Sequence, residues 1–542
     1  MILRNPLNFI SQFFINISKT FKNIYLNSSY YDRKISKINN NDLIYRPSPH
    51  LLSSLIKYQK KKINVDSIST DNLWDNENIN SQNFRKLNNF YWFFSLDLKS
   101  SKINTQKIIS EWIKNNLKYN SKSWEFDLTS KRIISWLSNH NLTIEEGDKD
   151  YQYKFNRMVQ KQTNHLVKEI NKSEIVDDKM VGCAAIILVG LCYKDEKNYL
   201  SFGLNLLKKI SNLSFDNQGL PNSRNIKQLI FYLKYFILIR EWFKEAQVEV
   251  PEHINENIYY LGKGYAFLWQ NIEFDILMNG NNISNNFEFN HYLKRLSYNF
   301  KNDNKELGGY AILYNKKISI VMDVGPSPSS KFSSNYQSGA LSFEISSNGK
   351  KLISNCGYYN SKNNKLTELS KSTATHSTLV VDDNSSCHYK KINKNYFVND
   401  GLKILKKNII FEKNYWKINA AHDGYQKKYD TIHERDIEFY PEQFKFIGTD
   451  KILNKKTQLN IKFEVRFHFE PNVKLMKTQD NKTILIELED EGWKFNCDNY
   501  DINIDNGLYF GKKNSYTQSQ NIFISGVTSS QNENIVWQLS RI

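Results

Sequence analysis

Cysteine is scarce in this chain of 542 residues. Its five cysteines (Cys183, Cys192, Cys356, Cys387 and Cys497) are odd in number, and no two share a Cys-x-x-Cys spacing. A disulfide framework and a zinc ribbon are thereby excluded. Nine prolines and 21 glycines are too few for a collagen-like or linker-like chain. Long apolar runs are missing as well. The longest, Met180–Tyr193 and Leu229–Ile239 (the latter interrupted by Lys234), fall short of the ~20 residues of a spanning helix and predict buried core helices instead. No stable membrane insertion is expected. The N-terminal stretch MILRNPLNFISQFFINISKTF has one early Arg, but Asn8, Ser11, Gln12 and Asn16 break its apolar run. It reads as an amphipathic surface helix rather than a secretory signal, which leaves a cytoplasmic or periplasmic location open.

What is present is ample core material and positive charge. Hydrophobic residues make up 40% of the chain and aromatic residues 14%, enough to build large cores and to exclude a mainly disordered polymer. The length allows two large domains or three ordinary ones. A net charge of +18 is spread along the chain without a run of five or six like charges; Lys60–Lys62 is its densest cluster. Such a surface is either simply solvated or suited to a polyanion. The nucleic-acid reading lacks support: there is no helix-turn-helix, zinc finger, RNP-like motif or compact basic stripe.

Two periodicities divide the chain. Between about residues 50 and 290, apolar residues recur at helical spacing, as in Ile108, Ile109, Trp112, Ile113 and Leu117. Similar stretches cover 86–98, 129–137, 155–170, 199–211 and 226–243. Successive helices of this kind build a bundle, a solenoid or a closed toroid. After about residue 300 the period becomes two. In 459–470, Leu459, Ile461, Phe463, Val465, Phe467 and Phe469 alternate with polar residues, including Arg466 and His468. Asn348-Gly349 joins 340–345 to 351–354 as a hairpin. Further strands are expected at 310–314, 318–323, 377–381, 409–411, 437–439, 483–488 and 521–527. Many short strands without intervening helices imply an antiparallel β-sandwich.

This order, with its local motifs, resembles the heparinase II/III family of polysaccharide lyases. The helical half contributes NNFYWFFSLDL (88–98), SEWIKNN (110–116), WEFDLTSKRIISWL (124–137), QTNHL (162–166) and NQGLPNSRN (217–225). The second half contributes GALSFEISSNGKKLISNCG (339–357), STATHSTLVVDDNSSCHY (372–389), AHDGY (421–425), IHERDIEF (432–439) and VRFHFEPNV (465–473). The resemblance implies an N-terminal α/α toroid over 45–299, after an extension of 1–44, and a C-terminal antiparallel β-sandwich over 300–542. It also implies β-elimination on a uronic-acid-containing acidic polysaccharide, such as a bacterial envelope or capsular polymer. One group removes the C5 proton, another neutralises the uronate, and an acid protonates the leaving oxygen.

Family members carry a His-x-His pair, whose second His joins an acidic residue and a later His around a structural metal. Here Asn335, Gln337, Asn355 and His376 stand at those positions, so no metal and no cofactor are expected. His376 and Tyr336 become the proton-transfer candidates; the alternatives are a satisfied structural histidine and an ordinary sandwich tyrosine. Asn225 is the carboxylate-neutralising candidate, and Asn222, Arg224 and Gln337 line the substrate cleft, with helix capping as the alternative for the loop of Asn222–Asn225. His422, His433 and Arg435 border the substrate, or simply share a polar strand face. Tyr265 is a further tyrosine at a tolerable position. Loss of the His-x-His pair also opens a second function: acidic-glycan binding without cleavage.

Overall fold

The structure is a computed structural model. It is described for residues 20–38, 43–53, 81–97 and 100–542, except 195–197, 271, 273, 285–286, 361–363, 393–394 and 455–459, together with residues 17, 55, 65, 73 and 74. Lys60–Lys62, Leu459 and most of the N-terminal stretch lie outside these residues. Two compact units divide the chain. One comprises Met1–Leu213, Tyr232–Ile258 and Phe287–Ser297; the other comprises Ser214–Phe231, Tyr259–Asn286 and Tyr298–Ile542. A single cut at 299/300 does not describe them, because two segments expected with the helices cluster with the sheets.

The first unit is helical. In it α1 (Ser29–Ile35) is capped by Ser28, whose hydroxyl accepts from the Tyr31 amide at 3.2 Å. Then come α2 (Lys102–Asn115), α3 (Phe126–Ser138), α4 (Lys149–Glu169), α5 (Val176–Cys192), α6 (Tyr199–Ser214), α7 (Ile226–Glu245) and α8 (Glu252–Tyr265), the last three crossing the unit limits. Ser101 and Asp148 accept from backbone amides at the starts of α2 and α4. In α2 the buried face is Thr105, Ile108, Ile109, Trp112 and Ile113; Leu117, expected on that stripe, lies past the helix end and is exposed. From Met180 onward α5 is wholly buried, as its apolar run requires. Arg132 is also fully buried, stacked 4.0 Å over Trp112 and donating to Gln162 and to the Asn88 carbonyl, both at 2.8 Å.

The second unit holds three larger antiparallel sheets and a hairpin. The first sheet runs in sequence order through β1 (Glu306–Leu307), β2 (Tyr310–Tyr314), β3 (Ile318–Asp323), β4 (Phe343–Ser347) and β5 (Lys350–Ile353). Asn348 and Gly349 take φ of 48° and 77° between β4 and β5, the turn their pairing predicts. Next come β6 (Leu379–Val381), the hairpin of β7 (His388–Ile392) and β8 (Asn395–Asp400), then β9 (Ile404–Phe411), β10 (Trp416–His422), β11 (Thr431–Tyr440), β12 (Lys445–Asn454) and β13 (Lys462–His468). The chain ends with β14 (Lys474–Lys477), β15 (Thr483–Leu488), β16 (Glu491–Asn496), β17 (Ile502–Tyr509), β18 (Thr517–Val527) and β19 (Asn532–Arg541). An eight-stranded sheet orders them β14-β15-β16-β19-β12-β11-β10-β9, and a four-stranded sheet β17-β18-β13-β6. Their apolar faces share one core, where Phe343, Phe467, Phe495 and Trp537 stack.

A buried ionic knot sits in that core. The Asp450 carboxylate accepts from Arg435 Nε at 2.8 Å and Nη2 at 3.0 Å, from His433 Nε2 at 2.7 Å, and from Trp537 Nε1 at 3.0 Å. Arg435 also donates to the Leu341 and Ser377 carbonyls. The Gly424 amide donates to His422 Nδ1, leaving His422 Nε2–H to donate to His433 Nδ1 at 3.3 Å. His422, His433 and Arg435, expected beside substrate or on a polar strand face, are at most 1% exposed. His433 and Arg435 do share a face, but it points inward, and their donors are spent on Asp450 and, for Arg435, also on the Leu341 and Ser377 carbonyls. Burial alone would raise the Asp450 pKa; Arg435 and His433 outweigh it and hold the carboxyl well below its usual range. Asp450→Asn leaves Arg435 buried without its counter-charge and is expected to cost about 3–5 kcal/mol, read as a lowered urea midpoint. An unchanged midpoint would show the knot to be dispensable.

Candidate functional site

The loop entering α7 is held by one side chain. Arg224 takes a positive φ of 58° and turns its guanidinium into the sheet unit. Nη2 donates to Asp323 Oδ1 at 2.6 Å and to the Gly309 carbonyl at 2.8 Å; Nη1 donates to the Gly325 and Pro326 carbonyls, both at 3.2 Å; Nε donates to the Gly308 carbonyl at 3.4 Å. All its donors are used inside the protein. Asp323, at the end of β3, accepts at Oδ2 from Asn279 (3.1 Å); the same Asn279 amide donates to the Tyr310 hydroxyl, which donates to the Arg224 carbonyl at 2.6 Å. Arg224, expected to line the substrate cleft, is here a scaffold for the loop.

Gln337 closes the neighbouring loop in the same manner. Its Oε1 accepts from the Gly280 amide at 2.9 Å, and its Nε2 donates to the Ser370 and Gly357 carbonyls at 2.6 and 3.0 Å. It is fully buried and not available to substrate. Beside it, Lys371 Nζ donates to the Ser334 and Tyr336 carbonyls at 2.7 and 2.9 Å, and burial pushes its ammonium down to about 7. Tyr336 is 1% exposed, and burial raises its phenol far above the usual range. Its hydroxyl lies in an apolar cluster with Ala340, Cys387, Val398 and Leu402, a poor place for proton exchange with a polymer.

His376 follows a short 3-10 turn and precedes β6. Its Nδ1–H donates to the Ser372 carbonyl at 2.9 Å, Nε2 is buried with no hydrogen-bond partner, and burial pushes the imidazole down to about 4. It is thus a neutral, interior histidine. His468, expected on a solvated strand face, is interior too: it pairs with Cys356 at 3.2 Å and the Ala374 carbonyl at 2.9 Å. Tyr265 is fully buried and stacked on Trp269 at 5.5 Å.

Asn222, Lys227 and Asn335 are half-buried, whereas Asn225 is buried. Asn225 Oδ1 caps α7 by accepting from the Lys227 and Gln228 amides at 2.9 and 3.3 Å. Its Nδ2 reaches Gly280: a Cβ there would sit 2.8 Å from both Asn225 Nδ2 and Asn335 Cβ, so only glycine, at φ 85°, allows the approach. The Tyr358 hydroxyl donates to Asn335 Oδ1 at 3.4 Å. Lys227 Nζ donates to Asn282 at 2.7 Å, and burial, then Lys513, lowers its pKa to about 8. Asn222 is half-buried, with Nδ2 donating to the Phe215 carbonyl at 3.3 Å. A small pocket opens beside Asn225, bounded by Pro221, Leu268 and Tyr310. Asn225, Asn335 and Gln337 thus meet at Gly280, whereas His376 packs against Gly339.

The residues at the family's metal positions do not suit a metal. Gln337 is spent on backbone, and Asn355 accepts from the Ser377 amide at 2.8 Å while donating to Glu344. Among the described residues no three His, Cys, Asp or Glu side chains are grouped to hold an ion. Sequence reasoning overlooked Asp323, Asn279 and Lys371. An acid ending the apolar strand ISIVMD was a visible signal for the first; the other two had none.

A helical region followed by antiparallel sheets, with a polar loop before α7 tied to a sheet edge, is a polysaccharide-lyase-like architecture: α/α toroid, then β-sandwich. Residues 304–538 match the family model for the heparinase II/III-like C-terminal domain. Over 90% of this chain and 87% of that one, the fold is similar to a heparinase III, the BT4657 gene product, at 13% identity and TM-score 0.69. A heparan sulfate lyase, HepC of Pedobacter heparinus, is similar over 94% and 87% (12%, TM-score 0.64), and another heparinase III over 90% and 80% (14%, TM-score 0.66). No curated protein matches in sequence. The match to the family model is confined to residues 304–538, and over the rest of the chain the likeness to these structures is one of fold.

Acid should destabilise this protein through its interior histidines. His376 and His468, lowered by burial to about 4 and about 3, stabilise the fold fully above the unfolded value near 6.5. That contribution falls by roughly 1.4 kcal/mol per pH unit per histidine as pH drops from about 6.5 towards 4. Melting temperatures followed across this window should decline steeply, and less so in His376→Asn. A flat profile would contradict the buried placement.

Proposed function

We propose that this polysaccharide-lyase-like protein binds an acidic, uronate-containing polysaccharide at the amide face of Asn222, Asn225, Asn335 and Lys227. One observation carries the reading: Asn222, Asn335 and Lys227 are the half-buried side chains of this set, while Asn225 and the candidate acid–base groups are interior. Amides donate to carboxylates and hydroxyls without exchanging protons at neutral pH, and Lys227 adds a positive charge. The +18 net charge raises the local concentration of an acidic chain. Binding without cleavage is the reading this geometry supports best.

The second reading is β-elimination, the chemistry expected from the family resemblance. The unpartnered Nε2 of His376 favours it, because an unsatisfied buried acceptor is often kept for function. It needs that nitrogen to reach a sugar C5 proton, with Asn225 neutralising the uronate.

One experiment separates the two. Purified protein is incubated with a panel of acidic polysaccharides, following both retention and the ultraviolet absorbance of an unsaturated uronate. Retention without absorbance is expected. Asn335→Ala and Lys227→Ala should each weaken retention by about fivefold to tenfold, and added salt should oppose the lysine contribution. A rise in absorbance abolished by His376→Ala would install the elimination reading. No retention of any polymer would end both.

A further inference from the structure

The described N-terminal segment carries apolar side chains that no part of the sheet unit needs. Residues 20–26 form a short helix. Leu26 is buried, with Tyr31 and Ile35 of α1 behind it, and these three dock the segment. Phe21 and Ile24 point away at 68% and 63% exposure, Tyr25 lies beside them, and Tyr30 is 61% exposed at the start of α1. Positions 21, 24 and 25 share one helical face. Large apolar side chains grouped on a surface are unfavourable in water unless something covers them.

The electrostatics beside this face indicate what does. Lys34 stands 5.9 Å over the Tyr30 ring. After burial's own effect, Lys34 and Lys37 depress the Lys168 ammonium, and Glu169 opposes them. The nearby Asp32 carboxylate is occupied by Lys161 at 2.7 Å. Aromatic and aliphatic side chains beside a row of lysines match the interface of an anionic bilayer: rings enter the headgroup boundary and ammonium groups meet lipid phosphates.

We propose that this segment is a reversible docking surface for an anionic lipid membrane, on which the chain lies without spanning. Phe21, Ile24 and Tyr30 supply apolar burial, while Lys34 and Lys37 supply charge. Neither contribution holds alone. The inference concerns the helical unit and stands apart from the polysaccharide reading.

Co-sedimentation of the full chain with phosphatidylglycerol–phosphatidylcholine vesicles, against pure phosphatidylcholine, tests it. Binding is expected to the anionic vesicles only and to fall with salt. Phe21→Ser/Ile24→Ser should weaken it at least about tenfold, and Lys34→Glu/Lys37→Glu by a similar factor. Both variants should keep the parent's melting temperature and polysaccharide retention. The proposal is overturned if no vesicle binds. It is overturned equally if the apolar variant binds as well as the parent, which would mean charge attraction only. Concentration-dependent dimers that disappear in Phe21→Ser/Ile24→Ser would instead assign the patch to a second copy of the chain.

Discussion

A buried guanidinium needs an acceptor for every donor, and satisfying Arg224 organises the whole region around the candidate site. Its partners come from the β1–β2 turn, the end of β3 and the turn after it. Asp323 supplies the counter-charge, and through Asn279 and Tyr310 the ring closes on the Arg224 backbone. Breaking one member leaves the others unsatisfied in a low-dielectric setting, where each orphaned group costs far more than an intact bond is worth. This explains why segments distant in sequence, Ser214–Phe231 and Tyr259–Asn286, belong to the same compact unit as the sheets.

The neighbouring loop obeys the same rule with neutral groups. Gln337 bonds three backbone segments at once, and Lys371 holds two further carbonyls of that loop. An amide can do this because it offers donors and an acceptor on one rigid plane. The residue that ties the loop together is thereby unavailable for ligand chemistry. Structural demand explains the loss of reactive groups here more directly than any change of substrate does.

Much of the fold could be read from periodicity. The strands at 310–314, 318–323 and 483–488 appear with those limits, and the helices of 129–137 and 226–243 only lengthen at their ends. Strands such as β12 and β19 are hard to read because Gly448, Asp450 and Asn454 take inward positions of the first and Val536 an outward position of the second; pairing with neighbours on both sides specifies them instead. The site was less legible. Asn222 and Asn225 lie where the motif put them, since helix capping is a local property. His433 and Arg435 were on one face as alternation required, yet alternation cannot say which face looks inward once a buried carboxylate such as Asp450 can satisfy polar residues. The burial of His376 was invisible for a similar reason: it depends on how loops 333–339 and 370–376 close, and those contacts are long-range.

The distribution of charge completes the picture. Its cations are diffuse, and the strongest buried ones, Arg132, Arg224 and Arg435, are neutralised or hydrogen-bonded inside the protein. They contribute nothing local to a ligand. Attraction of an acidic polymer must therefore come from the summed surface field, which acts over about a Debye length and sets encounter rates more than orientation. Orientation has to come from short-range groups, and of those about Gly280 it is Asn335, with Lys227, that is half-buried rather than interior. Cleavage would need, in addition, a base brought out of the interior at a cost that burial of His376 makes large.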